Sequence, residues 1–304
     1  MTNVDEMRRD MRLGVVFPSY ELPSTPTAAR AFAVEAERRG FDHLSFFDHV
    51  LGASHDREEQ VWGPYDEHDR FFDPFVLIGF LAGVTERITF ATGVLILAQR
   101  QTVLVARQAA DAALLSGNRL RLGIGTGWNS VEYAAMGQEF RGRGARTDAQ
   151  LALLGRLWTE DLVTADVGRE RVDRAGLVPH PTARIPVWIG GGEAAYPRAV
   201  AGGDGFMFAG SAGRSIAGLE QLRGLLTAAG RDVDAFGADL VLLPKAPAGD
   251  PWAKQRERSV DRAVEALERW RNAGGTHATI QTTWMGHRTV EEHLDYAGAV
   301  AAQL

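Results

Sequence analysis

The chain has 304 residues, 45% hydrophobic and 24% charged, and its 33 basic against 39 acidic side chains give a formal charge of -6. That composition suits a globular protein with a large core, and with no Lys/Arg block it argues against nucleic acid as a partner. No cysteine is present, which excludes disulfides and thiol chemistry, removes the commonest structural zinc ligands, and fits a reducing, cytoplasmic setting.

The first residues, MTNVDEMRRDMRLG, carry charges but no apolar stretch of the kind that marks a signal peptide. No run is apolar for long enough to span a membrane; the longest, Phe75–Val84, contains two glycines and reads as a core helix. Arg12–Pro18 is a short apolar strand, and Thr27–Arg39 carries apolar residues at helical spacing up to Gly40, a helix stop. His43–Phe47 is the next strand. The long polar and aromatic stretch Leu51–Phe72 then holds His55, Trp62, Tyr65, His68 and Arg70. A loop of that length is either a lid or substrate wall or a solvated surface loop.

Pro74–Thr85 reads as a helix, Ile88–Ala91 as a strand, Val103–Leu115 as a helix and Leu120–Ile124 as a strand. A polar, less regular stretch runs from Asn129 to about Arg146, followed by an amphipathic helix over Thr147–Trp158 and an irregular excursion or hairpin over Leu162–Arg184. A second run then alternates strand Pro186–Ile189, helix Ala194–Ala201, strand Gly205–Phe208, helix Ser215–Ala229, strand Asp239–Leu243, helix Gln255–Ala273, strand Ala278–Thr282 and helix Thr289–Ala302. Strands alternating with helices argue for a parallel sheet, and about eight such units match a (β/α)8 TIM-type barrel with insertions. The expected organisation is one domain over residues 1–304 with loop insertions near 50–72 and 129–184; a doubly wound open sheet is the structural alternative.

In a barrel, chemistry sits at the C-terminal ends of the strands. The second strand ends in Asp48-His49, which is either a carboxylate beside a proton-carrying imidazole or a capping aspartate beside a surface histidine. The third runs into Gly93-Val94, where glycine admits a planar ligand or marks a bulge. The fourth ends in Gly123-Ile124-Gly125-Thr126-Gly127-Trp128. This is no Rossmann fingerprint, because it follows the wrong strand and enters a polar segment rather than a helix, but its glycines leave room for a flat ring. The fifth ends in Gly190-Gly191-Gly192 before a helix, an arrangement that exposes backbone amides to an anion. Tyr20, Trp62, Tyr65 and Trp128 are candidate substrate contacts.

Together these segments resemble the luciferase-like monooxygenase family, in particular its F420-dependent oxidoreductase branch. The resemblance rests on Phe41–Val50, Phe72–Leu97, Thr102–Gly127 and Pro186–Phe208, with Gly274–Thr283 similar to the last strand. It implies a barrel enzyme, usually a homodimer, with a flavin or deazaflavin at the C-terminal rim. It further implies a cis peptide at Gly93–Val94 packed against the cofactor's central ring. By the same resemblance Asp48 and His49 match the strand-two pair, Gly125, Thr126 and Gly127 line the ribityl and ring side, and Gly190, Gly191 and Gly192 take the phosphate. The sugar-phosphate-oxidising members carry a glutamate where this chain has Trp128, which points to a more apolar substrate.

The expected function is therefore hydride transfer between C5 of coenzyme F420 and a small, partly apolar organic molecule, with His49 carrying the coupled proton and Asp48 tuning or anchoring it. The alternative within the family is an FMN-dependent monooxygenase. A metal-dependent barrel hydrolase would need clustered ligands, and the eight histidines are dispersed with no H-x-H or H-E-x-x-H, so no metal is expected. A barrel that binds a flavin-like ligand without turnover is the last alternative.

Overall fold

The computed structural model describes residues 11–59, 63, 65–246 and 258–304. The chain runs β1 (Arg12–Val16), α1 (Pro26–Arg38), β2 (His43–Phe46), α2 (Pro74–Ala82), β3 (Thr89–Thr92), β4 (Leu95–Ile96), α3 (Thr102–Leu115), β5 (Leu120–Gly125), α4 (Ser130–Ala135) and α5 (Arg143–Leu157). It continues through β6 (Val163–Val167), β7 (Glu170–Ala175), β8 (Val187–Gly190), α6 (Tyr196–Gly202), β9 (Gly205–Gly210), α7 (Ala212–Ala228), β10 (Gly237–Leu242), α8 (Val260–Asn272), β11 (His277–Ile280) and α9 (Val290–Ala301).

Eight strands pair in parallel around a closed ring, β1–β2–β3–β5–β8–β9–β10–β11 and back to β1. Closure satisfies both edges of every strand, so the open doubly wound alternative is excluded. The remaining elements lie outside this ring. β4 is a two-residue strand that rejoins β5 after the β3 bulge, and β6 and β7 form an antiparallel hairpin inside the stretch that reads as irregular in the sequence.

Local signals explain the helix starts. Thr25 accepts a hydrogen bond from the Ala28 amide ahead of Pro26, Asp73 accepts from the amides of Phe75 and Val76 ahead of Pro74, and Thr289 and Glu292 close a reciprocal capping box on α9. The polar stretch after Trp128, expected to be irregular, contains α4, nucleated by Asn129, whose side chain accepts from the amides of Val131 and Glu132.

Side chains alternate along each strand, and the two faces do different jobs. Outward residues such as Val15, Leu44, Phe90, Leu122, Ile189, Phe206, Leu240 and Ile280 pack with the helices into the main core. Burying one such side chain contributes roughly 1.5–3 kcal/mol. Inside the ring, Val16, Trp188, Met207 and Val241 form a separate small cluster.

Below that cluster the N-terminal half of the barrel is sealed by a buried polar set. The Arg121 guanidinium donates to Asp239 at 2.8 Å and lies 4.3 Å over the Trp188 ring. The Thr279 hydroxyl lies 3.0 Å from both Asp239 oxygens and 2.7 Å from His43 Nε2. A side chain on Gly205 or Gly237 would stand inside the Trp188 ring, so those glycines make the room it fills. Burial works against ionising Asp239, yet Arg121 and His43 outweigh it and hold the carboxyl well below its usual range. Burial, helped by Arg121, pushes the pKa of His43 down, so its imidazole stays neutral.

Candidate active site

The C-terminal ends of the strands surround a cavity of about 620 Å³, within the size range of small-molecule sites. Its lining draws on the ends of strands all around the ring, from β2 to β11, and brings Asp48, His49, Gly93, Val94, Gly125, Thr126, Gly127, Gly190, Gly191 and Gly192 into one space.

The floor is the bulge between β3 and β4. The Gly93–Val94 peptide is cis, as the family resemblance implies. The Val94 methyl groups occupy the places where side chains on Gly125 and Gly190 would stand, so glycine at those two positions lets the bulge settle into the barrel mouth. The glycine run at the end of β8 accordingly has two roles. Gly190 is buried under Val94, whereas Gly191 and Gly192 are exposed. The run leads into the expected helix, which begins as a one-turn 3-10 segment (Glu193–Ala195) and continues as the seven-residue α6.

Asp48 is almost fully buried at 3% exposure, and its oxygens are committed. One accepts from the Ile96 amide at 2.8 Å, just beyond the bulge, and the other from Arg100 Nη2 at 2.6 Å, which also donates to Asp73 at 3.1 Å. Burial opposes the charge on Arg100, but Asp48 and Asp73 outweigh it and raise its pKa. The expectation that Asp48 tunes or anchors His49 is thereby corrected: Asp48 anchors the bulge instead. Neighbouring residues in extended backbone point to opposite sides, so an adjacent Asp-His pair does not share one proton.

The partner of His49 is Glu132, on α4. Its Oε1 lies 3.2 Å from His49 Nδ1 and also accepts from the Val50 amide at 2.8 Å, while Oε2 accepts from Gln99 Nε2 at 3.4 Å. Glu132 is 1% exposed, and burial alone would raise its pKa. Hydrogen bonding and charge from His49, with the Val50 amide, reverse that and hold it below the usual carboxylate range. The carboxylate engages Nδ1 and leaves Nε2 as the nitrogen available to the cavity.

The wall above His49 is aromatic. Its ring lies 4.8 Å from Tyr65, 4.8 Å from Phe71 and 5.7 Å from Trp128. Tyr65 and Trp128 line the cavity, whereas Tyr20 stands behind Tyr65 and stacks on Trp284 at 5.8 Å, supporting the wall rather than forming it. Trp62, the fourth candidate substrate contact, lies outside the described residues. Sequence reasoning missed Glu132, Arg100, Gln281 and Trp284. Only Glu132 left a signal, the capping pattern Asn129-x-x-Glu132, and its side chain turns to His49 and Val50 instead of back to its own helix.

The cavity fits a flat ring with an anionic tail: a peptide-floored base kept clear of side chains by Gly125 and Gly190, and exposed amides at Gly191 and Gly192. Among the described residues no helix is long and apolar enough to cross a membrane, and no group of three or more His, Cys, Asp or Glu side chains is arranged to hold a metal ion.

Comparison with known proteins agrees with this geometry. An uncharacterised protein of Mycobacterium tuberculosis is 36% identical over 200 residues, covering 63% of this chain and 69% of the relative. An F420-dependent glucose-6-phosphate dehydrogenase of Intrasporangium calvum is 33% identical over 192 residues, covering 60% of this chain and 54% of the relative. In fold, the chain is similar to an F420-dependent secondary alcohol dehydrogenase in complex with an F420-acetone adduct, with a TM-score of 0.76 at 17% identity over 97% of this chain and 99% of that one. Riboflavin lyase with modified FMN and riboflavin is similar at a TM-score of 0.77 and 14% identity, over 96% of this chain and 91% of that one. Nothing in these relatives supports a metal-dependent hydrolase. The family model described as luciferase-like monooxygenase matches residues 11–297, and the chain belongs to that family of oxidoreductases and monooxygenases.

Proposed function

We propose that the chain is an F420-dependent oxidoreductase acting on a small, partly apolar organic substrate. The observation that carries the reading is His49, fixed through Nδ1 by the buried Glu132 at the wall of a glycine-floored cavity. Sequence relatives with F420-dependent activity at 29–33% identity favour F420 over FMN.

The Gly93–Val94 bulge and Gly125, Thr126 and Gly127 would hold the ring, and the amides of Gly191 and Gly192 the phosphate. F420 held there would supply hydride chemistry at its C5. His49 Nε2 takes up or delivers the proton coupled to that chemistry. Glu132 accepts from Nδ1, fixes the tautomer and stabilises the imidazolium while staying ionised. Asp48 and Arg100 keep the bulge in register and take no proton. Tyr65, Trp128 and Trp284 exclude water and offer an apolar face to the substrate. Val76 and Phe80 on α2 and Val103 and Leu104 on α3 are exposed apolar side chains on neighbouring helices and would form a homodimer face.

Titration with F420 and with FMN, followed by fluorescence, tests the cofactor. Saturable F420 binding with weak FMN binding is expected; the reverse would favour an FMN-dependent monooxygenase, and binding of neither would remove the reading. His49→Ala should bind F420 normally and lose roughly 10²–10⁴-fold in kcat in a substrate screen. Unchanged turnover would show that His49 does not carry the proton.

A further inference from the structure

A second cavity, of about 720 Å³, opens beside the first, and the two share Leu243 and Gln281 as a common wall. It lies at the same end of the barrel, between the β9–α7 turn, the end of β10 and one side of α8. Among the described residues its charged lining is mostly basic, with Arg214, Lys245 and Arg269 from three elements, Arg262 beside them, and Glu265 as the acidic member. The whole chain carries a charge of -6, so a basic grouping among the described lining residues runs against the average. Lysine is rare here, with only Lys245 and Lys254 among 33 basic residues, and Lys245 stands just past the end of β10 on the rim where barrel enzymes do their chemistry.

Arg214, Lys245 and Arg269 are exposed, and among the described residues none has a salt bridge or side-chain hydrogen bond. Solvated arginines on a helix face need no explanation, but these come from three different elements and converge on one concavity. Arg269 Nη2 reaches across from α8 to within 3.8 Å of the point where a side chain on Gly213 would stand, in the first turn of α7. That turn contains no acidic residue, and its cap residue Ser211 makes no side-chain hydrogen bond. Grouped cations repel one another, and an anion placed among them relieves that cost while gaining charge-assisted hydrogen bonds.

We propose that this annex binds an anionic group, a carboxylate or phosphate, at the far end of a molecule whose other end occupies the first cavity. The bearer is either the substrate, which then has an apolar reacting end and an acidic remote end, or the acidic tail of the cofactor. What fills the first cavity rests on the function proposed above; the annex itself is tested without it.

Calorimetric titration of inorganic phosphate and of hexanoate into the full chain, with ionic strength held constant by chloride, should show saturable binding in the millimolar range. Arg214→Ala and Lys245→Ala should each weaken it several-fold to about tenfold, Lys245→Arg should retain it, and the triple variant with Arg269→Ala should abolish hexanoate binding and leave phosphate only what the Gly191 and Gly192 amides hold. Equal binding to the wild type and the triple variant, or none to the wild type, would overturn the proposal. F420 and the deazaflavin riboside lacking phosphate and tail then separate the two bearers. If the triple variant loses affinity for F420 but not for the riboside, the tail occupies the annex; if F420 affinity is unchanged, the acid belongs to the substrate. Intact anion binding in a protein that ignores F420 would support the annex and count against the cofactor reading alone.

Discussion

At the N-terminal end of the barrel, Arg121, Asp239 and His43 bring a guanidinium, a carboxylate and an imidazole together; at the mouth, Arg100, Asp48, Glu132 and His49 do the same. The lower set is closed. Trp188 caps it, the strands surround it, and every charge is spent on another member. The upper set is divided: Asp48 and Arg100 are consumed in fastening the bulge, while Glu132 and His49 leave one imidazole nitrogen for a cavity. The same residue types thus give rigidity or reactivity according to whether one polar atom remains unspent beside open space.

Breaking the lower set should cost stability and spare chemistry. Asp239→Ala leaves Arg121 buried without its counter-charge and should lower folding stability by about 3–5 kcal/mol. Thermal melting would read that loss, with F420 affinity per folded molecule unchanged; a loss of affinity at full stability would erase the distinction between the two ends. Breaking the upper set should do the reverse. Glu132→Gln removes a charged hydrogen bond to His49 and should reduce kcat about 10- to 100-fold with a shifted pH–rate profile, while the melting temperature moves little. A drop in melting temperature without a change in the profile would make Glu132 a structural residue only.

Paired glycine substitutions sharpen the contrast. Gly205→Ala drives a methyl group into the Trp188 ring and should cost about 1–3 kcal/mol. Gly192→Ala meets nothing within 4 Å at a negative φ of -91°, so stability should stay within ~0.5 kcal/mol, while the proposed phosphate contact would be crowded and F420 affinity should fall. Equal destabilisation at the two sites would contradict the assignment of Gly205 to packing and Gly192 to the ligand.

Titration reads the same contrast through pH. Burial pushes His43 down and His277 down to about 2, with Arg121 adding to both. The unfolded chain takes up protons near pH 6.5 where the folded chain does not. Stability is therefore complete above that pH and declines as pH falls below it, by up to ~1.4 kcal/mol per pH unit for each such histidine. Glu132 has the opposite chemistry but the same direction: its folded pKa is lowered, so its contribution is complete above the ordinary carboxylate range and fades only below it. Melting curves from pH 7.5 to 5 should thus report the lower set and not the upper, and substituting His43 and His277 by asparagine should flatten the slope; an unaltered slope would move its origin elsewhere, for example to His293, which burial lowers to about 3.

The alternation of apolar strands and amphipathic helices determined a parallel sheet wrapped in helices, because both faces of such short apolar strands must be covered; that the sheet closes into a barrel was decided only when β1 paired with β11. The glycines at 93, 125, 190, 191 and 192 were legible as open backbone for the same local reason: a missing Cβ is visible in one dimension. Which glycine receives Val94 and which stays exposed was decided only when β3, β5 and β8 came together. So was the partner of His49, since Glu132 lies 83 positions away on a six-residue helix, while the adjacent Asp48 faces the other way. Sequence proximity fixes direction along a chain, and proton-sharing distances are set by how separate strands and helices pack.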